Sequence, residues 1–168
     1  MLFRNNTGDI RDAFTKVSNA HSGLNSGDNA RASLGVIVRA METLPEVNRR
    51  TFRANKRGSG YARIAYGDSI AAETNYLTGT PAMDISIGRD GKVDITRHDI
   101  TTTQHQRHKQ RGERATTYSY GSFQEAMDKG LADFIEKNAP GRADELKRAI
   151  NKIQRRQTLK SKIGLGSK

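Results

Sequence analysis

The sequence predicts an α+β fold: N-terminal helices, a small antiparallel sheet with a β-hairpin at 84–97, and two C-terminal helices. Three observations carry that prediction. Apolar residues follow helical spacing up to about Leu44, switch to alternation after Gly58, and return to helical spacing after Tyr120. The dipeptide Asp90-Gly91 lies between two alternating runs, as a hairpin turn does. The SFQE stretch from Ser122 to Glu125 has the form of a capping box opening a helix.

Each element can be justified in order. Ile10, Phe14, Val17 and His21 form one stripe, with Thr7 as the expected N-cap and Gly23 as the stop. A turn-forming stretch, Ser22 to Asn29, leads to a second helix that Asp28 can cap. Its stripe is Ala30, Leu34, Ile37, Met41 and Leu44, the clearest core pattern in the chain. Pro45 suits the first turn of a third helix, PEVNRRTFRANKR, which carries a weak stripe and many arginines. Gly58 and Gly60 break it, and Ala62, Ile64 and Tyr66 alternate as a strand. Ser69 to Met83 reads as a further strand or a long loop. Ile85 and Ile87, then Val93 and Ile95, are the two sides of the hairpin, and Thr116 to Tyr120 is a last short strand. Phe123, Met127, Leu131, Phe134 and Ile135 give the next helix a broad apolar face. Asn138 and Pro140 end it and start another, in which Leu146, Ile150 and Ile153 keep helical spacing. The division expected is one domain over 1–157 and a basic flexible tail over 158–168.

Composition bounds the chemistry. At 168 residues the chain fits one domain with a real core. With no Cys, it has no disulfide framework, thiol nucleophile or cysteine-ligated metal. No apolar run is long enough for a signal peptide or a membrane span, so a cytoplasmic protein is the expectation, or a virion component. The formal net charge is +11, from 29 Lys+Arg against 18 Asp+Glu, which favours a polyanionic partner.

The cations are clustered. Arg49, Arg50, Arg53, Lys56 and Arg57 belong to the expected third helix, and no acid occurs from Arg49 to Arg63. Lys147, Arg148, Lys152, Arg155 and Arg156 surround the last helix opposite its apolar stripe, again without an acid from Leu146 onward. One-sign surfaces repel themselves, so each implies an acidic partner. Between them lies RHDITTTQHQRHKQRGER, Arg97 to Arg114, with no apolar periodicity; it reads as a long solvated loop whose cations Arg107, Lys109, Arg111 and Arg114 do the binding.

The same stretch holds His98, His105 and His108, and a metal reading would place the last two on one helical turn with His98 or Asp99 as third ligand. The surrounding cations oppose it, and so does the lack of a framework to orient the ligands. Asp84, Asp90 and Lys92 echo a metal-dependent nuclease motif, but Asp90 and Gly91 are explained by a turn. The glycines of KRGSGYAR, Lys56 to Arg63, offer a phosphate-contacting turn that a helix stop explains equally. No metal or cofactor is expected, and no catalytic constellation is assembled. The reading is a non-enzymatic protein that contacts nucleic acid, DNA or RNA, mainly through phosphate. Its partner could equally be an acidic protein surface. The alternative is a structural or assembly subunit of a virus or phage particle, a homo-oligomer using the same loop and tail; a third is a small metal-dependent nuclease.

Overall fold

The computed structural model describes residues 9–44, 52–56, 60–66, 81–105 and 108–166, and of 100–105, 108–113 and 160–166 the backbone alone. The fold is α+β. Helices α1 (Ile10–Ala20) and α2 (Ser26–Glu42) precede strands β1 (Phe52–Lys56), β2 (Tyr61–Tyr66), β3 (Ala82–Ile87), β4 (Val93–His105) and β5 (His108–Tyr120). The chain then returns to helix through α3 (Phe123–Ala126), a π-helical turn (Met127–Leu131), α4 (Ala132–Asn138), a 3-10 turn (Pro140–Arg142) and α5 (Ala143–Gly166). The sheet is an antiparallel meander in the order β1-β2-β3-β4-β5.

Strand alternation divides the sheet into two unlike faces. Ala62, Ile64, Met83, Ile85, Val93 and Ile95 are essentially inaccessible and meet the helices. The opposite face presents Tyr61, Arg63, Asp84, Asp94, Thr96 and His98, on adjacent strands. α2 lies against β1 and β3, α3 against β4 and β5, and α5 packs on α1 and α2. The middle position of α2 explains why Val36, Val38 and Ala40 are buried along with the expected Leu34, Ile37 and Met41.

The caps refine the helix starts. Asp9 accepts from the Arg11 N–H and is the N-cap of α1; Thr7 lies outside the described residues. Asn25, rather than Asp28, caps α2, accepting from the Asp28 N–H. His21 ends α1 as expected, its Nδ1 within 2.9 Å of the Val17 carbonyl and 3.1 Å of Ser33 Oγ.

Two expectations are corrected. The third helix is not present over its C-terminal half: Phe52 to Lys56 is strand β1, in register with Tyr66 to Ala62. Phe52 and Ala54 are buried at period two, so sheet pairing and packing override a weak helical stripe. Pro45, Arg49, Arg50 and Arg57, like most of Ser69 to Met83, lie outside the described residues. Nor is Arg97 to Arg114 a loop. It is paired strand on both sides, in register from Arg97↔Thr116 to His105↔His108. Its residues carry no apolar alternation, so the period-two signal that marks a half-buried strand did not announce it. The C-terminal segment is helical as far as Gly166.

Candidate nucleic-acid interface

The pairing of β4 with β3 stops at Ala82↔His98, yet β4 and β5 remain paired through seven further positions, from Asp99↔Arg114 to His105↔His108. At a rise of about 3.3 Å per residue the two strands project roughly 23 Å beyond the sheet. This two-stranded arm holds Lys109 opposite Gln104 and Arg111 opposite Thr102. Gln106 and Arg107, which join the strands in the chain, lie outside the described residues. The acids of the arm stand at its root: Asp99 faces Arg114, Glu113 faces Ile100, and from Thr101 to Gly112 there is none.

The root is anchored by a polar cluster that the sequence reading missed. On the face opposite the described helices, Asp84 of β3 accepts from Arg63 Nη1 (3.1 and 3.2 Å) and from Tyr61 Oη (2.9 Å), both on β2. His98 Nε2 of β4 lies 2.8 Å from the other Asp84 oxygen. The Arg63 side chain is 9% exposed and that of His98 13%, so the pairs are largely shielded from water. On the helix side, Arg97 reaches Asp133 of α4 at 3.0 Å. Strand β4 is thereby tied on both faces at the point where the arm leaves the sheet. Polar residues at alternate positions of three neighbouring strands were the signal for this cluster, legible only once the strand order is known.

The expected basic sites separate on this frame. Arg53 and Lys56, three apart in a strand, take opposite faces: Arg53 pairs with Ala65, while the Lys56 ammonium approaches Gly35 of α2. Both are exposed, but they form no helical stripe. Lys109, Arg111 and Arg114 are together on β5. Lys152, Arg155 and Arg156 are exposed on α5, whereas Lys147 is buried beside Leu146 with its ammonium 3.4 Å from Asp144.

The α5 cations do not adjoin the arm. α1 and α2 meet beneath the β3–β4 turn, where Asn29 Nδ2 donates to the carbonyls of Ser18 and His21 and Ser26 packs under Gly91. Lys16, within about a helical turn of that junction, shares a shallow groove of about 550 Å³ with Arg155, Thr158 and Leu159. The basic part of α5 therefore sits toward the end of the sheet opposite the arm.

The other candidate chemistries take different places. His105 and His108 are paired across the strands instead of sharing a helical turn, while His98, seven positions before His105 in β4, is held by Asp84 of β3. Among the described residues no three His, Asp or Glu side chains form a metal-binding group. Asp90 accepts from the Lys92 N–H at 3.1 Å, a turn role, and Asp94 accepts from Ser119 Oγ at 2.7 Å. Among the described residues no helix is long and apolar enough to cross a membrane. No protein-family model matches the chain, and no curated protein or solved structure matches it either.

Proposed function

We propose that this chain is a non-enzymatic nucleic-acid-binding protein whose contact element is the β4–β5 arm. The observation that carries the reading is the arm itself: a cation-bearing ribbon of two strands, without an acid from Thr101 to Gly112, that continues past the last β3–β4 pair. The major groove of duplex DNA, about 12 Å wide and about 8.5 Å deep, admits a ribbon of this kind. Lys109, Arg111 and Arg114, with Arg107 between the strands, supply phosphate contacts, and counterion release makes such binding steeply salt-dependent. Lys152, Arg155 and Arg156 form a second basic patch at the far end of the sheet, suited to a separate phosphate contact.

Gel shifts with duplex DNA and duplex RNA at two salt concentrations test this. Replacing Arg107, Lys109 and Arg111 together by Ala should weaken binding and flatten the salt dependence by up to about 0.9 log units per lost phosphate contact. Unchanged affinity and slope in that variant would remove the arm from the interface.

One observation supports the assembly reading. β5 is the last strand of the sheet, and its stretch Ala115 to Ser119 is uncharged and largely exposed. Edges of that kind pair with other strands unless they are guarded. Light scattering on the purified chain distinguishes a monomer from a strand-paired oligomer.

A further inference from the structure

We infer that the β4–β5 arm reads base edges in the major groove of B-form duplex DNA, so that binding is sequence-selective and not a phosphate contact alone. The inference rests on the nucleic-acid reading above and specifies its ligand. A clamp on phosphate needs cations and little else. The paired positions of this arm hold a different set: Thr101, Thr102, Thr103 and Gln104 on β4 stand opposite Gly112, Arg111, Gln110 and Lys109 on β5. These are the residue types that distinguish base pairs in the major groove. A glutamine carboxamide pairs with adenine N6 and N7, an arginine fork with guanine O6 and N7, and a threonine methyl packs on the thymine methyl.

The alternatives to a B-form duplex fit the arm less well. Between Asp99 and Arg114 there is no Phe, Tyr or Trp, so aromatic stacking of unpaired bases would rest on the imidazoles of His105 and His108 alone. The major groove of an A-form RNA helix is deep and narrow and side chains do not read it. The placement of acids agrees with groove entry. Asp99 and Glu113 stay at the root, and the reach of roughly 23 Å carries the acid-free part well past a groove depth of about 8.5 Å. Gly112, opposite Thr101, leaves one position of the ribbon without a side chain, which permits close approach of a backbone. Selective reading also requires presentation from a rigid base, and His98–Asp84 on one face with Arg97–Asp133 on the other provides that at the root.

The test is selection by the full chain from duplexes with a randomised centre, at physiological salt. A recurrent short motif should emerge, bound roughly 100-fold or more tighter than random duplex. The same motif as duplex RNA or as single-stranded DNA should be bound no better than unrelated sequence. Gln104 and Gln110 take opposite faces of the ribbon, so one of Gln104→Ala and Gln110→Ala should reduce the preference for the motif by roughly 5- to 150-fold and the other should not, with affinity for random duplex unchanged in both. Steeply salt-dependent duplex binding with no enriched sequence would overturn base reading and leave the phosphate reading standing. Absence of binding to any of these nucleic acids would overturn both.

Discussion

Gly91 has φ +86°, and a Cβ built on it would come within 2.5 Å of the Ser26 Cβ. The left-handed backbone and the contact with α2 independently require glycine there. The connection itself is longer than the Asp90-Gly91 dipeptide: the Gly88 N–H donates to the Lys92 carbonyl and the Gly91 N–H to the Gly88 carbonyl. Gly91→Val should therefore lower stability by more than the ~1–2 kcal/mol of a left-handed residue alone, measured by urea denaturation. Asp84 makes a second residue-scale case. It bridges Arg63, Tyr61 and His98, and removing it takes away a carboxylate that all three share. Loss of one member of a shielded ion pair costs about 3 kcal/mol. Asp84→Ala should show that loss in chemical denaturation and should also loosen the root of the arm. Faster amide exchange at Arg97 to Asp99, with exchange in α2 unchanged, would report the second effect.

At the scale of elements, the C-terminal helices show local chemistry and tertiary packing acting together. Ser122 Oγ accepts from the Glu125 N–H at 3.2 Å, the serine half of the capping box that SFQE announces, while Glu125 Oε1 accepts from the Gly121 N–H at 3.2 Å, one residue before the cap. Ser122→Ala should cost about 1 kcal/mol. Glu125 is held below the ordinary glutamate range, first by its hydrogen bond with Lys129 and then by the Gly121 amide. A depressed carboxylate stabilises the fold above its unfolded value and loses that contribution as pH falls through the folded one. The melting difference between wild type and Glu125→Gln should thus shrink as the solution is acidified below ~4.3. The π-helical turn that follows was not legible in the sequence, and the contacts around it are remote in the chain. A side chain at Gly130 would press on the Cδ1 of Ile95, and Arg11 Nε donates to the Asp128 carbonyl at 3.1 Å while its guanidinium holds Glu136. The apolar spacing did announce buried residues in both groups of helices: Leu34 of α2 is 3% exposed and Phe134 of α4 is 2%. Either residue changed to Ala should cost about 2–5 kcal/mol.

For the whole molecule, the decisive feature is the separation of core from arm. Among the described side chains, the main apolar cluster draws on the helices and on the strands of the sheet, in β4 no further than Ile95. Joining Asp99 to Arg114 by a two-residue Asn-Gly turn should leave thermal stability nearly unchanged and abolish duplex binding. A large fall in melting temperature would mean that the arm contributes to the fold. Changing Lys152, Arg155 and Arg156 together to Ala probes the other end of the molecule. It should lower affinity for long duplexes more than for short ones, since the two basic regions sit at opposite ends of the sheet and only a long ligand meets both.

Period and capping were sufficient to determine the layer order, the buried faces of α1 and α2, the Asp90–Gly91 turn and the start of α3. These are near-neighbour properties: a stripe every three to four residues or an alternation every two encodes its own element. The basic character of the chain was legible too, because charge is a sum over residues and needs no geometry. Phe52 to Lys56 becomes a strand only because β2 lies beside it, and Arg53 and Lys56 are parted by that pairing. His98 and Asp84, fourteen residues apart, meet across β3 and β4, and no local pattern brings them together. The arm is the clearest instance. Its strands are polar on every position but Ile100 from Asp99 to His105, so only the register carried out from the sheet, β4 on β5, turns a stretch without periodicity into a ribbon.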